Sequence, residues 1–281
     1  MSHFPPQDIR TFIDNNANSP SVARQATLLG ISRSSLYYKP IVDSYDTAIM
    51  TRIDEIYTKY PFYGSRRMKI ELQQTHHIVI CREHVQHLMR LMGLEAIYPK
   101  FKKHTSNLES QHRIYPYLLH NLTITHPNHV WGTDITYIKL AQGFCYLVAL
   151  IDWYSRYVIS WTLAETLDIE FCLENLKRAL STQIPDIHNS DQGSHFTSPQ
   201  YTNLLSAHNT QISMDGRGRC MDNIFTERLW RTIKYENVYI KSYQNFSEAQ
   251  QGLAEYVDFY NNKRHHQSLA YHTPASIYFK Q

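Results

Sequence analysis

Apolar and polar residues alternate along several stretches of the second half of the chain, which is the pattern of half-buried β-strands. Between them lie stretches in which apolar residues recur every three or four positions, the period of an amphipathic helix. Three consecutive strands followed by alternating helices and strands predict a mixed five-stranded sheet with helices packed on it. The predicted order is strands at 129–140, 144–151 and 157–163, a helix at 168–181, a strand at 184–189, a helix at 199–208, a strand at 210–213 and a helix that carries 223–234.

The first half of the chain has helical periodicity instead of alternation. In SPSVARQATLLGISRSSLYYKP, residues 19–40, a short helical stretch is followed by a turn at Gly30 and by Ser32, which suits the N-cap of a second helix. This is the layout of a DNA-binding helix-turn-helix with Arg33 on the recognition helix. A plain helical hairpin explains the stretch equally well.

Residues 53–103 show the helical period three times, and positive charge is concentrated near the second repeat. No acidic residue lies between Lys59 and Lys69. Basic side chains mixed with aromatic ones near a helix start favour contacts with DNA phosphates over a merely solvated helix face. The basic residues of this cluster are Lys59, Arg66, Arg67 and Lys69, and the aromatic ones are Tyr60, Phe62 and Tyr63.

The distribution of charge agrees with a binding front half. Residues 1–122 carry 15 Lys and Arg against 10 Asp and Glu, whereas residues 123–281 carry 13 against 15. A chain of 281 residues with 42% hydrophobic residues predicts a folded protein of more than one unit. No apolar run approaches the ~20 residues of a membrane span, and no signal-peptide pattern begins the chain, so we expect a cytoplasmic protein with no membrane partner, associated with the nucleoid when bound to DNA.

The four cysteines are widely spaced and form no C-x-x-C pair, so a disulfide framework or a four-cysteine zinc site is not indicated. Cys81, His84 and His87 recur every three residues, but no further paired ligands follow them. We therefore expect no zinc, and we interpret the three as a buried cysteine with surface histidines.

Three carboxylates are candidate functional residues. Asp134 lies inside a strand of β-forming residues, where burial is costly without compensation. Asp191 follows a predicted strand end, and Glu227 lies on the helix after a glycine-rich loop. Carboxylates from different elements of one sheet are the ligands that hard divalent cations require, and two Mg²⁺ ions about 4 Å apart would suit chemistry at a phosphate. An arginine partner for Asp134 and a solvated ion-pair face for the helix with Glu227 are the simpler alternatives, because periodicity does not show that the three carboxylates converge.

Three sequence blocks resemble a known family. WGTDITYI, NSDQGSHFTS and CMDNIFTERLWRTIKYE are similar to the catalytic blocks of DDE transposases and retroviral-type integrases, and in particular of the second-reading-frame transposases of bacterial insertion sequences. As in that family, 35 residues separate Asp191 from Glu227, and a basic residue, Lys234, follows seven positions after Glu227. LLGISRSSLYY, YPFYGSRRMKIELQ and FYNNKRHHQSLAYHTPASIY resemble its DNA-binding and closing segments, so the likeness covers nearly the whole chain.

The resemblance implies an RNase H-like catalytic core with a mixed five-stranded sheet, preceded by all-α DNA-binding segments. It implies segments at 1–45 (helix-turn-helix-like), 46–105 (second helical DNA-binding segment), 106–122 (linker) and 123–281 (integrase core with a helical tail). It also implies that Asp134, Asp191 and Glu227 are catalytic and bind Mg²⁺ or Mn²⁺, with two ions per site. The residues expected to contact DNA are Lys234, Asn223, Arg217, Arg219, Arg231, Arg66, Arg67, Lys69 and Arg33.

The implied function is metal-dependent DNA strand cleavage and strand transfer at the ends of an insertion sequence. The implied partners are double-stranded DNA at terminal inverted repeats and at the target, a homo-oligomer on DNA, and the upstream reading-frame product. A catalytically silent DNA-binding regulator, or a transposase subunit that needs that upstream partner, is the alternative. A nuclease of the RNase H type fits less well, because it has no evident use for the helical front half.

Several other polar residues have predicted roles outside the carboxylate triad. Asp152 suits a turn, because the family triad does not use this position. His188 and His195 flank Asp191, where they could contact DNA, shape the metal site or lie on the surface. Residues 262–266, NKRHH, suit a basic polar helix end that is useful for binding DNA but is not catalytic.

Overall fold

The computed structural model describes residues 12–13, 20–30, 32, 44–97, 114–216 and 223–280. The chain divides into two compact units, residues 1–51 and 52–281. In the first unit, helix α1 (Val22–Leu28) begins at Ser21, whose hydroxyl accepts a hydrogen bond from the Arg24 amide. The second helix of the predicted helix-turn-helix, with Arg33, lies outside the described residues.

Three helices lie within residues 44–97, and the second and third of them pack together in the second unit. They are α2 (Ser44–Lys59), which crosses the boundary between the units, α3 (Ser65–His76) and α4 (Arg82–Leu91). The periodicity of residues 53–103 predicted all three. The apolar side of α3 and α4 is buried, as the spacing of its members predicts; these residues are Met68, Leu72, Val85, Leu88 and Met89.

The core of the second unit is a five-stranded sheet with strand order β3-β2-β1-β4-β5. The first three strands pair antiparallel, whereas β4 and β5 run parallel to β1, so the predicted mixed sheet is confirmed. The strands are β1 (Val130–Lys139), β2 (Phe144–Asp152), β3 (Val158–Ala164), β4 (Ile187–Ser190) and β5 (Gln211–Met214).

Helices cover both faces of this sheet, so the core has three layers. The helices that complete the chain are α5 (Ile169–Leu180), α6 (Ser194–Thr197), α7 (Pro199–Ala207), α8 (Ile224–Ile233), α9 (Tyr239–Lys241), α10 (Phe246–Asn262) and α11 (Pro274–Tyr278). One face buries Leu147 and Ile151 against α8 and α10, and the other buries Val148 and Leu150 against α5 and α7. Alternate residues of β2 therefore point to opposite cores, as a strand requires.

Two features differ from the sequence prediction. Residues 114–119, placed in a linker, run beside β5, where the Leu118 amide donates to the Ser213 hydroxyl at 3.0 Å. A π-helix, Lys234–Val238, continues α8 without interruption, and the sequence pattern did not indicate it. Within the described ranges, no helix is both long enough and apolar enough to cross a membrane.

Candidate active site

The sheet brings two of the predicted carboxylates to neighbouring strands. Strand β1 pairs in parallel with β4, with Gly132 opposite Asn189. Asp134 and Asp191 each follow two residues later, and Asp191 lies directly after the end of β4. Because Gly132 and Asn189 are opposite each other in this parallel pair, equal offsets place both carboxylates at the same level along the two chain segments.

Helix α8 lies along β1 and contributes the third carboxylate. The Trp230 indole nitrogen donates a hydrogen bond to Asp134 Oδ2 at 2.8 Å. Four residues later, Lys234 Nζ donates to Thr136 Oγ1 at 2.7 Å. Glu227 lies three residues before Trp230 in the first turn of α8, so it occupies a neighbouring position on the helix surface and is exposed to solvent.

Burial and the other two carboxylates raise the pKa of Asp134. The pKa of Asp134 rises from 3.8 to about 7, first because burial disfavours its charged form and second because Asp191 is negative. Glu227 raises this pKa further, whereas the hydrogen bond from Trp230 lowers it. A cation placed among these groups would relieve the repulsion, and carboxylate oxygens are the ligands that Mg²⁺ prefers. The donor set therefore fits a divalent cation.

The carboxylates do not form a closed coordination shell. In the part of the chain that the structure describes, no three His, Cys, Asp or Glu side chains are grouped closely enough to hold a metal ion. Asp134 is held by Trp230, and Asp191 Oδ1 accepts a hydrogen bond from the Gly193 amide at 2.9 Å. The Glu227 side chain is exposed to solvent on α8.

Close packing sets the distance between α8 and β1. Thr226 is fully buried, and its Oγ1 lies 2.9 Å from the position that a Cβ on Gly132 would take. The Asn223 amide nitrogen donates to the Thr133 carbonyl at 3.1 Å, and its oxygen accepts from the Thr226 hydroxyl at 2.5 Å. A glycine on β1 and a tied N-cap therefore let the helix start approach the strand closely.

The comparison with known proteins identifies the family. Residues 124–220 and 208–274 match models of the integrase core domain, and residues 44–102 match a model of an HTH-like domain. The chain is 32% identical over 245 residues to the putative transposase InsK of insertion sequence element IS150 from Escherichia coli K12, covering 83% of this chain and 85% of the relative. The chain belongs to the insertion-sequence transposases with an integrase core domain.

One further relative agrees with this family, and one solved structure agrees with the fold. The transposase of insertion sequence element IS904 from Lactococcus lactis is 31% identical over 220 residues, which cover 76% of this chain and 87% of the relative. A chain of the simian T-cell lymphotropic virus intasome, solved in complex with PP2A regulatory subunit B56 gamma, superposes with a TM-score of 0.50 at 15% identity. That alignment covers 83% of this chain and 75% of the viral chain. The predicted RNase H-like fold and the predicted family are both confirmed.

The HTH-like match falls on the second helical segment of this family member. The sequence analysis assigned a helix-turn-helix layout to residues 19–40, whereas the matched model covers residues 44–102, which contain α3 and α4. The predicted DNA-binding character of the second segment therefore has independent support.

The predicted DNA contacts have different surroundings. Arg66 and Arg231 are exposed, and Lys69 is half-buried on α3. Lys234 is half-buried, and burial lowers its pKa although Asp134 raises it. Arg217 and Arg219, like Arg33, lie outside the described residues.

Two of the predicted DNA contacts are engaged inside the protein. Asn223 is buried, and the two ends of its amide are occupied by Thr133 and Thr226. Arg67 Nη1 pairs with Glu236 Oε1 at 3.1 Å. Both side chains hold elements of the fold together, because loss of these contacts would leave their polar partners without hydrogen bonds.

The basic helix end predicted at residues 262–266 contains two buried side chains. Arg264 is 3% exposed and binds Glu236 through two nitrogen–oxygen contacts of 2.6 Å. His265 is 6% exposed, and its Nε2 lies 3.0 Å from Glu71 Oε2. Their partners lie 28 and 194 residues away in the sequence, so composition alone could not show that these side chains are buried.

The histidines and the other acid are also placed by the structure. His188 is fully buried, bonded to the Tyr201 hydroxyl at 3.1 Å, and burial lowers its pKa to about 3, so it contacts neither DNA nor the carboxylate cluster. His195 is half-buried, with its Nε2 2.9 Å from the Leu167 carbonyl oxygen. Asp152 is buried and accepts bonds from its turn, as predicted. Cys81, interpreted as buried, is exposed.

Sequence reasoning missed the residue that holds the first carboxylate. Trp230 lies three residues after Glu227, on the same stretch of α8, and its indole nitrogen needs an acceptor because the ring is buried. A polar aromatic side chain beside a candidate metal ligand was the available signal. It was overlooked because Trp230 also reads as an ordinary apolar residue of the helix.

Proposed function

We propose that this chain is a DDE transposase that cleaves DNA at insertion-sequence ends and joins the freed end to a target, using Mg²⁺ or Mn²⁺. The observation that carries the proposal is the placement of Asp134, held by Trp230, beside Asp191 on the next strand, with Glu227 on the adjoining helix. Membership of a family of transposases supports the reaction type.

The carboxylates of Asp134, Asp191 and Glu227 would hold two cations. When bound, such ions lower the pKa of an attacking water or hydroxyl and stabilise charge on the phosphate and the leaving oxygen. Asp134 accepts the indole hydrogen bond of Trp230 through Oδ2 and a backbone hydrogen bond from Ile135. Trp230 therefore orients the first ligand before any ion arrives.

The reaction consists of two successive displacements at phosphorus. First, the oxygen of water bonds to the phosphorus at the element end while the bond to the 3′ oxygen breaks, and that oxygen takes a proton. The exposed 3′-hydroxyl then loses its proton and attacks a target phosphate, which displaces another 3′ oxygen. Lys234, on the β1 side of α8, supplies a positive charge for a DNA phosphate beside the carboxylates.

The test is cleavage and joining of labelled DNA that carries the ends of the element. Wild type should give products only with Mg²⁺ or Mn²⁺, and Glu227→Gln should give none. Glu174→Gln, an exposed carboxylate on α5 on the opposite face of the sheet, is the matched control and should keep full activity. Products from Glu227→Gln at the wild-type rate would exclude the carboxylate triad.

The same experiment separates the second candidate function. An inert wild type that shifts the labelled DNA as well as Glu227→Gln does would make this chain a DNA-binding component that requires the upstream reading-frame product. Because two element ends must be joined, we propose that the active form is a homo-oligomer on DNA. Analytical ultracentrifugation with and without end DNA would test that form directly.

A further inference from the structure

A basic cleft of about 480 Å³ lies between the starts of α3 and α4 and the C-terminal half of α8. Its walls come from the HTH-like segment and from the catalytic core, both within the second unit of the chain. Five guanidinium groups and one carboxylate line it, which gives the lining a net charge of +4. The charged lining residues are Arg66, Arg67, Arg82, Arg231, Arg264 and Glu236.

The single carboxylate is used within the fold. Glu236 binds Arg264 through two contacts of 2.6 Å, binds Arg67 at 3.1 Å, and accepts a hydrogen bond from the Tyr256 hydroxyl at 2.7 Å. Burial alone would raise the pKa of Glu236, but Arg264 and Arg67 lower it, so the group is charged at neutral pH. Two of the five guanidinium groups therefore share one carboxylate.

The other three guanidinium groups have no acidic partner among the described residues. Arg66 and Arg231 are exposed and form no ion pair with any residue of the described ranges, and the same holds for the half-buried Arg82. Arg82 Nε donates only to the Ser65 hydroxyl, at 3.4 Å. Like charges gathered in one cleft repel one another, so an anion bound among them would remove an unfavourable interaction.

We propose that this cleft binds consecutive backbone phosphates of the DNA strand that passes the carboxylates of the active site. The proposal rests on the proposed function and adds the path of the strand. Arg231 lies four residues after Glu227, on the same side of α8 and about 6 Å farther along the helix. Guanidinium groups bind phosphate oxygens in pairs, which suits a line of phosphates better than a single free ion.

The cleft therefore joins two recognition elements on one strand. The start of α4, at Arg82, and the start of α3, at Arg66, present helix N-termini and side chains to the same space. Phosphate held there connects the HTH-like segment to the catalytic helix of the same chain. This connection would fix where the scissile phosphate lies relative to the sequence that the HTH-like segment contacts.

The test is the salt dependence of DNA binding, measured by fluorescence anisotropy with a labelled duplex in EDTA. Each lost phosphate contact should reduce the slope of log K against log salt by about 0.9, so Arg66→Gln, Arg82→Gln and Arg231→Gln together should reduce it by roughly 2 to 3. Arg90→Gln on α4 and Arg228→Gln on α8 are matched controls, because both side chains are exposed and lie outside the cleft.

The outcomes separate this proposal from the catalytic one. If the three variants have the same salt-dependence slope as wild type and the two controls, the proposed phosphate-binding role of the cleft is wrong. This holds even if wild type cleaves DNA. Reduced slopes with an inert wild type would support the cleft while the catalytic proposal fails. Arg67→Gln is unsuitable as a binding variant, because losing its bond to Glu236 should lower the thermal unfolding temperature.

Discussion

Replacing Asp134 by Asn tests whether the candidate active site is held under electrostatic strain. The carboxyl has a pKa of about 7 in the fold against 3.8 ordinarily, because of burial and the charges of Asp191 and Glu227. A difference of 1 in pKa is worth about 1.4 kcal/mol, so full ionisation would cost about 4 kcal/mol. The side chain is partly exposed, and solvent screening reduces the expected cost to about 2 to 4 kcal/mol.

The sign of the pH dependence follows from the raised pKa. In the metal-free protein the protonated Asp134 contributes its full stability below pH 3.8, and that stability falls as the pH rises to about 7. Asn cannot ionise, and its oxygen still accepts the bond from Trp230. Asp134→Asn should therefore be more stable than wild type at pH 8 by about 2 to 4 kcal/mol, with a smaller gap at pH 5.

Urea unfolding in EDTA, followed at pH 5 and pH 8, measures this gap. Asp54→Asn on α2 is a control, because the Asp54 side chain is exposed. The difference in unfolding free energy between this variant and wild type should be the same at pH 5 and at pH 8. Equal differences between Asp134→Asn and wild type at both pH values would refute the reasoning. Adding Mg²⁺ should then stabilise wild type but not Asp134→Asn, since a ligand stabilises only the folded state that binds it.

Three further changes have distinct expected outcomes. Gly132→Ala would drive a Cβ into the Trp153 indole, so urea unfolding should show a loss of about 1 to 3 kcal/mol. Glu236→Gln leaves the buried Arg264 without its charge partner and should cost about 3 to 5 kcal/mol by the same assay. Lys234→Gln keeps a hydrogen-bond donor but loses the charge, so strand transfer should slow about 10- to 100-fold while the unfolding temperature stays within a degree or two of wild type.

Much of the fold follows from local pattern, because alternation and helical periodicity are set by which neighbouring residues are apolar. The strands around Asp134 and the position of Asp191 after β4 were predicted within a few residues. Periodicity did not predict that these two carboxylates lie on neighbouring elements. That proximity depends on the parallel pairing of β1 with β4, which a local sequence pattern does not reveal. The family resemblance, and not the periodicity, supplied that step.

The charged tail shows where sequence reasoning fails and why. A run of Lys, Arg and His is normally exposed, because burying an unpaired charge costs several kcal/mol. Here Arg264 and His265 are buried because Glu236 and Glu71 lie within hydrogen-bond distance of them. These acids are 28 and 194 residues away in the chain, so the compensation becomes visible only in three dimensions.

Helix α8 and the π-helix that continues it are fixed on two sides, with different expected consequences. Trp230 and Lys234, four residues apart, face β1 and determine how the first carboxylate is presented. Glu236, inside the following π-helix, instead faces Arg264 and Arg67 and ties the helix end to the HTH-like segment and to the tail. Changes on the first side should alter metal binding with small effects on folding, whereas changes at Glu236 should destabilise the whole unit. Measuring Mn²⁺ affinity and unfolding free energy for Trp230→Phe and Glu236→Gln together would show this separation, and equal losses of stability in the two variants would contradict it.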